Sequence, residues 1–193
     1  MQTKVLVTYT TNAGSTREVA EAVANGLGKD GVTTEVIHMD KVQDLTPYGT
    51  IVVGGPMILG WHRGALNFLK KHQKALSRIP VAYFFTAMSL TTSRENQLEG
   101  IPIYIDPGLG KCPQISSVRE RYATVNRYLG PVLKQIPQIR PISAAFFAGK
   151  MDYSRLKWPQ LLFVKLIVGA KPGDRRNWGA IREWAAGLHT SIP

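Results

Sequence analysis

Residues 4–20 read KVLVTYTTNAGSTREVA, a short apolar strand that runs into a turn of small and hydroxyl-bearing residues and then directly into a helix. The apolar run at residues 5–8 leads to Thr10, Thr11, Asn12, Ala13, Gly14, Ser15 and Thr16. A turn of that composition at a helix N-terminus aims backbone N–H groups and hydroxyls at one point, and the helix end adds partial positive charge there. The turn holds no lysine and does not spell G-x-x-x-x-G-K-S/T, which disfavours a nucleoside triphosphatase. It suits a single terminal phosphate held mainly by neutral donors. Ser15 and Glu18 also have the spacing of a capping box, in which both residues serve the helix end without any ligand. Both readings stand on these residues; the place at the first strand-to-helix turn and the density of hydroxyls favour phosphate.

The chain has 193 residues, enough for one well-cored domain spanning residues 1–193. A hydrophobic fraction of 44% with 19% charged residues is ordinary for a globular protein. No run of about 20 uncharged apolar residues is present, so a spanning helix is not expected. The start lacks the layout of a signal peptide, and a lone cysteine, Cys112, fits a reducing cytoplasm and excludes an internal disulfide. No His or Cys cluster marks a metal site. The charge is unusual: 24 Lys and Arg against 13 acidic residues give +11, which points to an anionic partner. No nucleic-acid motif accompanies it, so membrane surface or acidic substrate is favoured over DNA or RNA.

Strand and helix patterns alternate along the chain. Residues 15–27 place Ala20, Val23, Ala24 and Leu27 on one helical stripe, and residues 32–37 alternate as a second strand. Residues 51–55 form an apolar run ending in two glycines, the pattern of a buried parallel strand with a loop at its carboxyl end. A helix over 64–76, a strand over 81–85, a fifth strand over 142–148 and a last helix over 178–188 complete the pattern. Residues 91–115 are too long for a simple connection and read as an insertion or lid, with an extra strand or hairpin at 101–105. Helical spacing returns at Val118, Tyr122, Val125 and Leu129. The expected architecture is α/β: an open, doubly wound sheet of five mainly parallel strands, helices on both faces, and one insertion after strand four. In such sheets ligands sit at the carboxyl ends of the strands where strand order reverses, so residues 10–16, 55–62 and 86–92 should line one pocket.

The order and content of these loops resemble the flavodoxin-like fold, with Gly14-Ser15-Thr16 standing where that family has Gly-Asn-Thr. Residues 54–62, GGPMILGWH, followed by Ala65, Phe68, Lys70, Lys71 and His72, resemble the menaquinone-dependent protoporphyrinogen IX oxidase family. Ala148-Gly149, Tyr153, Trp158 and Lys165-Leu166-Ile167 fall in the same order as in that family. Met57, Ile58 and Leu59 depart from it, replacing polar or basic side chains with a drier wall, and the 91–115 insertion departs as well. The resemblance implies flavin mononucleotide (FMN) as cofactor. Thr10, Thr11, Asn12, Ala13, Gly14, Ser15 and Thr16 would hold its phosphate. Gly55, Pro56, Met57, Ile58, Leu59, Gly60 and Trp61 would run along the isoalloxazine, with Trp61 stacked on the ring. Thr86, Ala87, Met88, Ser89 and Leu90 would touch its pyrimidine edge.

Residues 150–176 mix cations with large apolar side chains. Lys150, Arg155, Lys157, Lys165, Lys171, Arg175 and Arg176 flank Trp158, Leu161, Leu162, Phe163, Leu166 and Ile167. The pattern suits an interfacial segment on an anionic membrane, and equally a helix packed on the core or in a dimer interface. The resemblance implies an FMN-dependent oxidoreductase that oxidises protoporphyrinogen IX and passes the electrons to a membrane quinone, in the cytoplasm or peripherally on the inner face of the membrane. Lys150 and Arg155 are candidates for its propionates; a solvated basic face explains them as well. His62 reads as an exposed imidazole, Cys112 as an incidental thiol, and no catalytic base is assigned. An electron-transfer protein serving another partner is the alternative, and a binding module without redox use a third; homo-oligomerisation stays open.

Overall fold

The structure is a computed structural model that describes residues 4–28, 32–58, 60–91, 96–111, 123–155, 158, 162 and 172–190. Four strands establish the first half of the sheet: β1 (Lys4–Tyr9), β2 (Thr33–His38), β3 (Thr50–Pro56) and β4 (Val81–Ala87). Beyond β5 (Leu90–Thr91) the chain forms β6 (Gln97–Leu98), β7 (Ile101–Ile105) and β8 (Gly110–Lys111), and later β9 (Ser143–Ala148), β10 (Lys150–Met151) and β11 (Gly173–Asp174). The helices are α1 (Ser15–Leu27), α2 (Arg63–Lys71), α3 (Gln73–Leu76), α4 (Val125–Gln135) and α5 (Trp178–His189).

The main sheet runs β2-β1-β3-β4-β9-β7-β6, seven strands where five were expected. The two additional strands come from the insertion. β7 lies parallel to β9, with Ile103 beside Ala144 and Ile105 beside Phe146, and β6 folds back on it antiparallel. An apolar run at residues 101–105 was free to continue the sheet because β9 would otherwise have left an open apolar edge. The expected helix over 64–76 is two helices that meet at His72. Val118, Tyr122 and Cys112 lie outside the described residues, as do residues 156–157, 159–161 and 163–171 of the basic apolar segment.

Side chains alternate across each strand, so two cores form. On one face Val5, Val7, Val52, Phe84 and Phe147 pack under α1 and α5. There the helices approach closely: a Cβ at Gly26 would sit 2.6 Å from the Cβ of Ala185. On the other face Leu6, Ile51, Tyr83, Phe85 and Phe146 pack under α2, α3 and α4. Each fully buried Leu or Phe side chain contributes roughly 1.5–3 kcal/mol. The order 2-1-3-4 reverses direction between β1 and β3, and a crevice therefore opens over their carboxyl ends.

Candidate functional site

Three loops converge at that crevice. The first leaves β1, whose course is prolonged by the Thr10 N–H donating to Gly54 O at 3.0 Å. Thr11 Oγ1 accepts from the Gly14 N–H at 2.9 Å, and Gly14 takes φ +87°, a conformation that favours glycine. Gly14 is the N-cap of α1, and no side chain caps the helix. Ser15 thus lies inside the helix, and the Glu18 carboxylate turns instead to Arg176, at 2.8 Å. The capping-box reading fails on this geometry. The Arg17 N–H donates to Gly14 O at 3.1 Å, and a helix start without a side-chain cap offers its remaining first N–H groups to an anion. Thr11, Ala13, Gly14 and Ser15 are half-buried around it, Thr10 and Thr16 are buried, and Asn12 is exposed.

Polar contacts join the loops to one another. Thr16 Oγ1 lies 3.3 Å from Thr86 Oγ1 in the buried interior. The Met57 N–H donates to Thr86 O at 2.9 Å, and the Gly149 N–H donates to Ala87 O at 2.9 Å. Ala87 and Leu90 are buried; Met88 and Ser89 are half-buried. Pro56, Ile58 and Gly60 are half-buried and Met57 is buried, while Leu59 lies outside the described residues. The second loop is a tight turn closed by a bridge between Met57 and Trp61 and by the Ile58 N–H donating to Gly60 O at 3.0 Å. Gly60 takes φ +138°, and a Cβ there would meet nothing within 4 Å. Bare backbone facing open space, beside a helix start without a side-chain cap, fits a flat ring system carrying a terminal phosphate.

Two sequence expectations are corrected here. Trp61 is 5% exposed and packs against Phe85 and Tyr83 with ring centroids 4.6 and 5.1 Å away, so it is a core residue and not a platform open to a ring. A Cβ at Gly55 would fall 2.9 Å from Trp61 Nε1, so Gly55 is what lets the indole lie there. His62, expected to be an exposed imidazole, is half-buried and caps α2. Its Nδ1 accepts from the Gly64 N–H at 3.1 Å and lies 3.2 Å from Thr10 Oγ1. Because Nδ1 accepts, the hydroxyl of Thr10 donates and the ring proton is assigned to Nε2. Burial lowers the His62 pKa below its ordinary 6.5, with Asp40 pulling up and His38 pushing down. The neutral ring therefore supports the fold at neutral pH, and that support is lost as the pH falls below the ordinary histidine range.

Two residues emerged only with the structure. Asp106 is fully buried at the end of β7, where Oδ1 accepts from the Gly108 N–H at 2.8 Å and from Asn177 Nδ2 at 3.1 Å, and Oδ2 from the Ala148 N–H at 3.1 Å. Asn177 in turn caps α5 through the Ala180 N–H. Arg176, its side chain 4% exposed, donates to Glu18 at 2.8 Å and to both oxygens of Asp174 at 2.8 and 2.6 Å, with its guanidinium over the Trp178 ring at 4.5 Å. The Asp174 contact, which comes first, holds the guanidinium pKa above its ordinary value, and the same contact lowers that of Asp174. In sequence Arg176 is one of the cations of the 150–176 segment, with no partner indicated. Lys150 is half-buried with Asp174 opposite it across β10–β11, and the side chain of Arg155 lies outside the described residues.

The model of a flavodoxin domain matches residues 6–177. Among curated proteins, protoporphyrinogen IX dehydrogenase (quinone) of Escherichia coli strain K12 is 23% identical over 94% of this chain and 88% of its own length. The protein of the same name from Leishmania major is 22% identical over 98% of this chain and 78% of its own. Among solved structures, a flavodoxin from the domain Archaea superposes with a TM-score of 0.52 at 13% identity, covering 98% of each chain. Two-electron reduced Megasphaera elsdenii flavodoxin also gives 0.52, at 10% identity over 95% of this chain and 98% of its own. Strand order, switch-point crevice and a domain match over most of the sequence agree: this chain belongs to the flavodoxin domain family.

Proposed function

We propose that this chain is an FMN-dependent oxidoreductase that oxidises protoporphyrinogen IX and delivers the electrons to a quinone. FMN is the cofactor of the flavodoxin family. The observation that carries its placement is the start of α1, free of any side-chain cap and ringed by Thr10, Thr11, Ser15 and Thr16. Those groups would bind the phosphate, with Asn12, Ala13 and Gly14 shaping the turn. Residues 55–60 would lie along the ring, with Trp61 packed behind them in the core, and residues 86–90 along its pyrimidine edge. The flavin supplies two-electron redox chemistry when bound. The protein's own part is to orient and to exclude water: Met57, Ala87 and Leu90 make a dry floor, and Gly60 lets backbone approach. His62 keeps its proton at Nε2 and holds Thr10 through Nδ1.

The curated relatives' names support the substrate and the quinone acceptor. The +11 charge supports an anionic substrate and argues against a shuttle flavodoxin, a family that is typically acidic. Peripheral membrane contact belongs to the same reading. Trp158 and Leu162 are 74% and 45% exposed, four residues apart in sequence, within residues 150–176, which hold seven Lys and Arg against two Asp. Among the described residues no helix is long and apolar enough to cross a membrane. Salt-sensitive co-sedimentation with anionic vesicles is the expected result, and its absence sinks the membrane contact. The function itself is tested anaerobically, by adding protoporphyrinogen IX to FMN-loaded protein. Bleaching of the flavin, with recovery on adding a menaquinone analogue, is expected. A flavin that stays oxidised would move the assignment to an electron carrier.

A further inference from the structure

The first loop contains no cation, yet a terminal phosphate carries up to two negative charges at neutral pH. Glu18 adds a third, in the first turn of the helix whose start would hold the phosphate. Arg17, in the same turn, is engaged by Glu21 at 2.8 Å, and the answer comes from 158 residues away. Arg176 Nη1 lies 2.8 Å from Glu18 Oε2 and 3.5 Å from Ser15 O, on the first turn itself. Its other edge is occupied by Asp174, which also faces Lys150 across β10–β11. The guanidinium thus pairs with two carboxylates beside the loop, and Lys150 stands opposite the second of them in the strand register. The guanidinium is held in place from its face by Trp178 and is shielded from water, so this pairing is fixed in the fold and is not left to mobile counter-ions.

We propose that Arg176 is a positioning residue of the phosphate site, acting through Glu18: it draws that carboxylate aside and cancels its charge, so that a phosphorylated ligand meets the helix start without repulsion. The assignment rests on the FMN reading above. It explains how a loop of neutral donors accepts a doubly charged group while an acidic side chain sits one turn away.

Riboflavin, which is FMN without its phosphate, separates this electrostatic role from a general structural one. The full-length chain is titrated with both ligands and flavin fluorescence is followed. R176Q should weaken FMN binding about tenfold and leave riboflavin binding unchanged, because only the phosphate feels the uncovered carboxylate. Adding E18Q to R176Q should restore most of the lost FMN affinity. Equal losses for both ligands, or no recovery in the double variant, would overturn the proposal. Should R176Q fail to fold, E18Q alone decides: a stronger preference for FMN over riboflavin supports the role, and an unchanged preference overturns it. A wild-type chain that binds FMN no better than riboflavin overturns the phosphate site itself, and this proposal with it. A normal wild-type preference that R176Q leaves intact overturns the role of Arg176 alone.

Discussion

The two ends of the main sheet handle polar groups in opposite ways. At the amino end, Glu35 takes the Tyr48 hydroxyl at 2.6 Å and the Lys4 ammonium at 2.7 Å, and the ammonium also lies 5.1 Å from the centre of the Tyr48 ring. That cluster is complete in itself. At the carboxyl end the polar groups tie loops together, Thr10 to His62, Thr16 to Thr86 and Asp106 to Ala148 and Asn177, while the start of α1 keeps no side-chain cap. One end closes its polar groups on one another; the other leaves the start of α1 without a side-chain cap. The lesson is that a ligand site shows itself by where hydrogen bonds stop, not by how many there are.

This contrast can be broken by substitution. The largest effect should come from Asp106→Ala, which removes the acceptor of three donors, the Ala148 N–H in the buried interior among them, and should cost about 3 kcal/mol in urea unfolding. FMN affinity should fall with it, because the same carboxylate fixes the ends of β7 and β9. A cost below about 1 kcal/mol would mean that water replaces the carboxylate and that this end is looser than it looks. Thr16→Val keeps the volume but removes the hydroxyl. Stability should drop by about 1 kcal/mol and FMN affinity by about tenfold, and a change in stability alone would remove Thr16 from the phosphate site.

Tyr48→Phe, at the amino end, should cost about 1 kcal/mol and leave FMN binding untouched. Burial, and then the Glu35 bond, push the Tyr48 pKa up from 10.0 to about 12. A raised pKa favours the protonated folded state, so its contribution is intact below pH 10.0 and is lost as the pH climbs toward about 12. Y48F should abolish that alkaline loss in unfolding measured across this range. Glu35 runs the other way. Lys4 and then Tyr48 lower its pKa, so its contribution is present above 4.5 and fades as the pH falls below that.

Much of this architecture was legible because apolar periodicity is a local property. The stripe of Ala20, Val23, Ala24 and Leu27 and the run at residues 51–53 declared α1 and β3 without reference to anything distant. The hydroxyl-rich turn was legible for the same reason. What stayed hidden depends on contacts between residues far apart in the chain. Nothing near Asp106 announces that residues 148 and 177 will satisfy it, and nothing in residues 150–176 announces that Glu18 will stand beside Arg176. Trp61 was misread because an aromatic at the edge of a loop can face a ligand or turn inward, and the inward turn rests on contacts distant in sequence: Tyr83 and Phe85 receive the indole, and Gly55, by lacking a Cβ, leaves room for it. The seventh and sixth strands were foreshadowed at residues 101–105, but pairing partners are not written in a strand's own residues.

The terminal hairpin of the sheet has one more effect. β6 is only two residues long, and the sheet ends there, so the outermost rim exposes few unpaired main-chain groups to a passing extended chain. Had the sheet stopped at β9, six residues of SAAFFA would have formed that rim, an invitation to intermolecular stacking. On this side the insertion replaces a terminal strand of six residues by one of two.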